Sequence, residues 1–169
     1  MSYDIGMNKI IKADAFKVIG IEAQTNNKQE MGPNRLIPVL WGKFIEQNLL
    51  SKIPHKASEA IISGYTDYAT NKDGNYTFFI GARVLATDSV PEGMVVKEVP
   101  GGVYAVLTSE KGAVWEVVQK LWQKIWTAPE IDKWSESRRA YEFDYEIYDV
   151  RAQNPSEAEV DVYLGLKES

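Results

Sequence analysis

The amino-acid sequence predicts an α+β fold: duplicated strand–helix–strand–strand units related by pseudo-twofold symmetry, whose antiparallel sheet forms a central cleft. Three observations predict it: an internal repeat, apolar residues that recur at strand spacing in some runs and helical spacing in others, and turn residues between those runs. Leu40-Trp41-Gly42-Lys43-Phe44-Ile45 recurs as Leu121-Trp122-Gln123-Lys124-Ile125-Trp126, 81 residues on. Tyr65-Thr66-Asp67-Tyr68 recurs as Tyr145-Glu146-Ile147-Tyr148, 80 residues on. Phe79-Ile80-Gly81 recurs as Tyr163-Leu164-Gly165, 84 residues on. Because the matches keep their order, residues 1–169 read as one domain, with repeat 1 at about 15–87 and repeat 2 at about 94–168.

Each element has a local reason. Residues 16–23, FKVIGIEA, are β-branched and apolar, which suits a strand. Asn34 is placed to cap a helix whose apolar positions Leu36, Ile37, Leu40, Trp41, Phe44, Ile45 and Leu49 recur at helical spacing. Pro38 falls near its first turn, where a missing N–H costs least. Strands over 60–70 and 76–86 flank the turn Asn71-Lys72-Asp73-Gly74. Residues 88–93 join the halves, and Pro100-Gly101-Gly102 breaks the chain before a strand over 103–108. A helix from about 113 to 126 and a hairpin pairing 141–151 with 159–167 complete the second unit.

The bulk numbers narrow the function. A net charge of −5 and a pI of about 5.0 give no basic face for phosphate, so direct nucleic-acid binding is not expected. The absence of cysteine removes disulfides, thiolate metal sites and thiol nucleophiles. With no signal-like or membrane-spanning run, a cytoplasmic protein without a membrane partner is the expectation. The single histidine, His55, sits among Lys52, Pro54 and Lys56 and reads as a solvated loop residue. No Ser-His-Asp set, metal site or cofactor is expected. Five Trp and nine Tyr supply rings with a polar handle, suited to a half-wet binding surface.

Strand alternation assigns side chains to faces. Val160, Val162, Leu164 and Leu166 form an apolar face that belongs under the helices, with Tyr163 opposite. Phe143, Tyr145 and Ile147 are the more apolar set of the partner strand and are expected against the helices. That leaves Glu146 and Tyr148 on the far face, together with Thr66, Tyr68 and Phe79 from the first unit. The repeat makes Thr66 the neutral counterpart of Glu146. Two readings stay open for these residues: a cleft whose buried carboxylate takes an organic cation among rings, or a solvated acidic strand edge beside an ordinary cross-strand tyrosine pair. Trp115, Trp122 and Trp126 share a helical spacing and read first as helix–sheet contacts; Trp122 is also a candidate wall of the cleft.

Several segments resemble the effector-binding domains of AraC- and MerR-type drug-responsive regulators, also called GyrI-like domains. Pro100-Gly101-Gly102-Val103-Tyr104-Ala105-Val106 resembles the family's Gly-x-Tyr-Ala strand. Tyr145-Glu146-Ile147-Tyr148-Asp149 resembles its aromatic-Glu-x-Tyr strand, and residues 159–167 resemble its closing strand. Ser109-Glu110-Lys111-Gly112, where the family often has His and Gly, and residues 127–139 depart from the pattern. The resemblance implies a cleft in which Glu146 meets lipophilic cations, with Tyr148 and Tyr163 facing the same pocket. It also implies a stand-alone form, because about 15 residues ahead of the first expected strand are too few for a helix-turn-helix; a separate transcription-regulator partner stays open. Two alternatives accompany it. Some relatives hydrolyse strained electrophiles such as cyclopropane-bearing alkylators, in which case Glu146 would be a general base, and others act as gyrase-inhibiting protein-binding modules.

Overall fold

The structure, a computed structural model, describes residues 8–168. In chain order it runs through strands β1 (Asn8–Ala13) and β2 (Phe16–Asn26), a single helical turn α1 (Asn27–Glu30) and helix α2 (Ile37–Glu46). Strands β3 (Ile61–Thr66), β4 (Asn75–Val84), β5 (Val95–Val99) and β6 (Gly102–Thr108) follow, then helix α3 (Val114–Trp126) and strands β7 (Arg139–Tyr148) and β8 (Asp161–Leu166). The eight strands make one antiparallel open sheet in the order β1-β6-β8-β7-β3-β4-β2-β5. Read inward from its edges, the order is β1, β6, β8, β7 on one side and β5, β2, β4, β3 on the other. The expected α+β class with an antiparallel sheet therefore holds, and β3 and β7 meet at the centre.

Both faces of this sheet are buried. On the helix side, Phe44 of α2 and the following Leu49 pack on Ile19, Phe78 and Ile80, while Leu121 and Ile125 of α3 pack on Leu107, Val162 and Leu164. On the reverse side Val18, Ile62, Phe79, Val99, Tyr104, Phe143 and Tyr145 form a third cluster. The Phe16 ring lies 5.6 Å from that of Tyr145 although β3 and β4 separate their strands. A flat sheet would hold those strands about 14 Å apart, so the sheet curls toward the reverse side. Gly20 faces Gly81 across β2 and β4, and a methyl on Gly20 would sit 1.9 Å from the Ile80 carbonyl oxygen. This pair needs two glycines.

The structure corrects four expectations. First, β1 and β5 were not foreseen; each pairs with a single neighbour, and Lys9, Lys12, Lys97 and Glu98 dilute their apolar pattern, as befits edge strands. Second, Asn34 does not cap α2. The Glu30 carboxylate does so from α1, accepting from Ile37 N at 3.1 Å and Leu36 N at 2.9 Å, while Pro38 sits in the first turn as expected. Third, β7 begins at Arg139, ahead of the expected 141, and it is bulged. Pairing with β8 jumps from Arg139–Leu166 to Asp144–Leu164, and Tyr141 in between takes a φ of 54°.

The fourth correction matters most. Glu146 pairs with Val162, and Val162 lies under α3, so Asp144, Glu146 and Tyr148 point toward the helices. Phe143, Tyr145 and Ile147 point to the reverse side. The premise that the more apolar set seeks the helices fails here because the reverse face is also a core. Thr66, Phe79 and Tyr163 are therefore on the opposite side of the sheet from Glu146.

Candidate ligand-binding site

Glu146 is 2% exposed at the centre of the sheet, and four side chains donate to its carboxylate. Oε1 accepts from Ser63 Oγ at 2.8 Å and from the Tyr148 hydroxyl at 2.6 Å. Oε2 accepts from Trp122 Nε1 at 2.6 Å and from the Tyr65 hydroxyl at 3.2 Å. Register explains the convergence. Ser63 is the direct cross-strand partner of Glu146, Tyr65 and Tyr148 stand two residues along on the same face, and α3 lowers Trp122 from above.

Every one of these donors is neutral, and among the described residues no Lys, Arg or His forms an ion pair with Glu146. Hydrogen bonds to a charged group contribute roughly 1.5–3 kcal/mol each, so four such donors offset several kcal/mol of desolvation while leaving the negative charge uncancelled. Burial, and then Glu146 itself, push the hydroxyls of Tyr65 and Tyr148 well above the usual phenol range, which keeps both as donors.

Rings wall the carboxylate. Tyr65 stands edge-on to Trp122 at 5.3 Å, and Trp41 of α2 stands edge-on to Tyr148 at 5.0 Å. Trp115 of α3 meets Trp41 at 5.2 Å and is 54% exposed. A continuous aromatic path thus leads from solvent, between α2 and α3, to Glu146. Two surface hollows, one lined by Gly101, Glu142 and Lys167 and the other by Lys120, Gln123 and Trp126, do not reach it.

Of the residues expected to share the site, Glu146, Tyr148 and Trp122 come together. Tyr163 stacks on Tyr145 at 4.7 Å, Phe79 packs against Phe143 at 5.3 Å, and Thr66 donates to the Glu142 carbonyl at 2.9 Å, all on the reverse side. Tyr68 does reach the helix side, because Asp67 adopts a φ of 53° and turns the chain over, but its hydroxyl donates to Asp144. Sequence reasoning missed Ser63, Tyr65, Trp41 and Trp115. If Phe79 and Tyr163 occupy equivalent places, their cross-strand partners Gly64 and Tyr145 do too, and the residue equivalent to Glu146 is Tyr65, not Thr66.

Among the described residues no group of three His, Asp or Glu side chains is placed to hold a metal, and no helix is long and apolar enough to cross a membrane.

The family match and the relatives given below make this antiparallel sheet with two helices over it an effector-binding domain of the transcription-regulator type. Solved structures share the fold: an integron cassette protein of Vibrio cholerae (TM-score 0.69, 21% identity, 95% of each chain) and SAV2435 bound to tetraphenylphosphonium (TM-score 0.74, 13% identity, 96% of this chain and 94% of that one). The chain belongs to the Cass2 family of integron-associated effector binding proteins, whose model matches residues 9–166. The Bacillus subtilis protein YobU, which carries the name of a transcriptional regulator protein, is 30% identical over 165 residues, covering 96% of this chain and 99% of its own. The transcriptional regulator BrlR of Pseudomonas aeruginosa is 29% identical over 162 residues; the match takes in 94% of this chain but 54% of BrlR.

Proposed function

We propose that the protein binds a lipophilic organic cation between α2 and α3, with the positive charge held by Glu146 and the apolar groups by Trp41, Trp115, Trp122, Tyr65 and Tyr148. The observation that carries this reading is a buried carboxylate with four neutral donors, no cationic partner among the described residues and aromatic walls. Such a site attracts positive charge twice, through the carboxylate and through ring faces that contribute roughly 0.5–2 kcal/mol each. The tetraphenylphosphonium held by SAV2435, a protein of the same fold, supports the choice of probe. Three tryptophans line the proposed site, Trp41, Trp115 and Trp122, so indole fluorescence gives a second readout of binding.

Calorimetric titration with tetraphenylphosphonium and with tetraphenylborate, two ions of the same shape and opposite charge, tests the proposal. The wild-type protein is expected to bind the cation and not the anion. Glu146→Gln can keep its hydrogen bonds, because Ser63 and Tyr148 hydroxyls accept as well as donate while the amide oxygen serves Trp122 and Tyr65. It should therefore fold and lose affinity for the cation. An attraction of about 3–4 kcal/mol, for unit charges about 4–5 Å apart at an effective dielectric near 20, corresponds to a loss of several hundredfold. Equal affinity for the two ions, or a variant within twofold of wild type, refutes the role of the carboxylate.

A further inference from the structure

Three side chains that carry a charge at neutral pH are buried among the described residues: Glu146, Asp144 and Arg139. Asp144 is wholly buried on the same face of β7, two residues before Glu146. Its Oδ2 accepts from Arg139 Nη2 at 2.8 Å and from the Tyr68 hydroxyl, and its Oδ1 accepts from Gly165 N at 2.8 Å. Arg139 is 3% exposed, and its Nε has no hydrogen-bond partner. The guanidinium lies 4.5 Å from the Tyr141 ring centre and 6.0 Å from that of Trp122, the same indole that donates to Glu146. The bulge in β7 folds Arg139 back onto this place, five residues from Asp144 in sequence.

The protein has thus built, beside the proposed cation site, a second carboxylate-and-ring cage and filled it with its own organic cation. Trp122 is the wall common to both. We infer that Arg139 sets the charge the cleft accepts: by neutralising Asp144 it leaves Glu146 as the one uncompensated charge buried on this face among the described residues, so the cleft takes a monocation in preference to a dication. This rests on the cation-binding reading proposed above and goes beyond it by naming what selects the ligand's charge. Without Arg139 the face would carry two carboxylates about 7 Å apart, the spacing of alternate residues on a strand. A second positive charge would then have a partner, and at that separation one more unit charge changes affinity by roughly tens of fold.

The test compares two cations built on one biaryl skeleton, N-methyl-4-phenylpyridinium with one charge and N,N′-dimethyl-4,4′-bipyridinium with two, by calorimetric titration. Wild type should prefer the monocation. Arg139→Gln should move the ratio of affinities at least tenfold toward the dication, and Arg139→Lys, which keeps the charge, should leave it within about threefold of wild type. Asp144→Asn leaves a buried positive charge beside the cleft, so monocation affinity should fall at least tenfold; this variant carries the test if Arg139→Gln does not fold. Arg139→Gln/Asp144→Asn, neutral at both places, should restore the wild-type preference. A protein that binds the monocation through Glu146 but keeps its ratio in Arg139→Gln, or its monocation affinity in Asp144→Asn, overturns the inference and spares the site. If wild type binds neither cation, the site itself falls, and this inference with it.

Discussion

Replacing Trp122 by Phe removes one donor from Glu146 together with part of a buried ring. The bond from Nε1 to Oε2 is 2.6 Å long, slightly shorter than the usual range of about 2.7–2.9 Å for a charge-assisted N–H donor, and its acceptor is 2% exposed. A hydrogen bond to a charged group contributes about 1.5–3 kcal/mol. Oε2 would keep only Tyr65, at 3.2 Å, while Oε1 keeps both of its donors. The phenyl ring preserves the edge-on contact with Tyr65 and most of the surface shared with Arg139. The expected loss is therefore the value of the bond plus the cost of the space left by the smaller ring, so the midpoint of thermal unfolding falls by at least about 3–12 °C for a chain of this size. Urea denaturation followed by far-ultraviolet circular dichroism measures it. Trp126→Phe is the matched control on the same helix: Trp126 is 40% exposed, and its loss should stay within about 0.5 kcal/mol. If Trp122→Phe is no more destabilising than that control, the donor does not sustain a buried carboxylate, and the electrostatic account of the site fails with it.

Two further outcomes follow from the packing. All eight tyrosines among the described residues have hydroxyls held above the usual phenol range, burial being the largest cause in each, with Tyr104 pushed up to about 12. Because folding favours their protonated form, the stability they contribute is complete below about pH 10 and disappears as pH rises from there toward the folded values; absorbance at 295 nm should show most phenolates appearing only as circular dichroism is lost, and phenolates that form near pH 10 in the folded chain would contradict this. Gly64→Ala should destabilise by about 1–3 kcal/mol or more, since its methyl would lie 2.6 Å from the Phe79 ring and 2.7 Å from the Asp144 carbonyl oxygen. Gly42→Ala, where a methyl on the half-buried α2 backbone would meet nothing nearer than the Glu46 carboxylate at 4.0 Å, should stabilise by about 0.5–1 kcal/mol; a shared sign for the two in urea denaturation would show that contact does not govern either.

What the sequence revealed depended on how many constraints each stretch carried. The long amphipathic helix over 113–126 and the hairpin around Asn71-Lys72-Asp73-Gly74 were legible because period in the one and turn residues in the other agreed locally with the fold. The edge strands were not, because an edge strand needs only one partner and tolerates lysine where a central strand would not. The Glu30 cap on α2 escaped notice because α1, one turn long, brings it back six and seven residues before the N–H groups it serves. Glu146 itself stood out as a carboxylate flanked by tyrosines, in a segment that resembles the family's aromatic-Glu-x-Tyr strand.

Its companions were lost to a slip of one residue. Matching Tyr65-Thr66-Asp67-Tyr68 to Tyr145-Glu146-Ile147-Tyr148 by identity takes an offset of 80, and in a strand one residue exchanges the two faces. The helix repeat, Leu40-Trp41 against Leu121-Trp122, has an offset of 81. Carried forward into the strand, 81 places Tyr65 on Glu146, puts both on the side of the helices that supply Trp41 and Trp122, and sends Thr66 to the reverse face. The cross-strand registers give this same correspondence when Phe79 is matched to Tyr163. Two tyrosines at the ends of a four-residue motif outweighed the helix in the sequence comparison, yet Tyr68 owes its position to the left-handed Asp67 before it, not to strand alternation. A motif whose last residue lies beyond the end of its strand cannot set that strand's register.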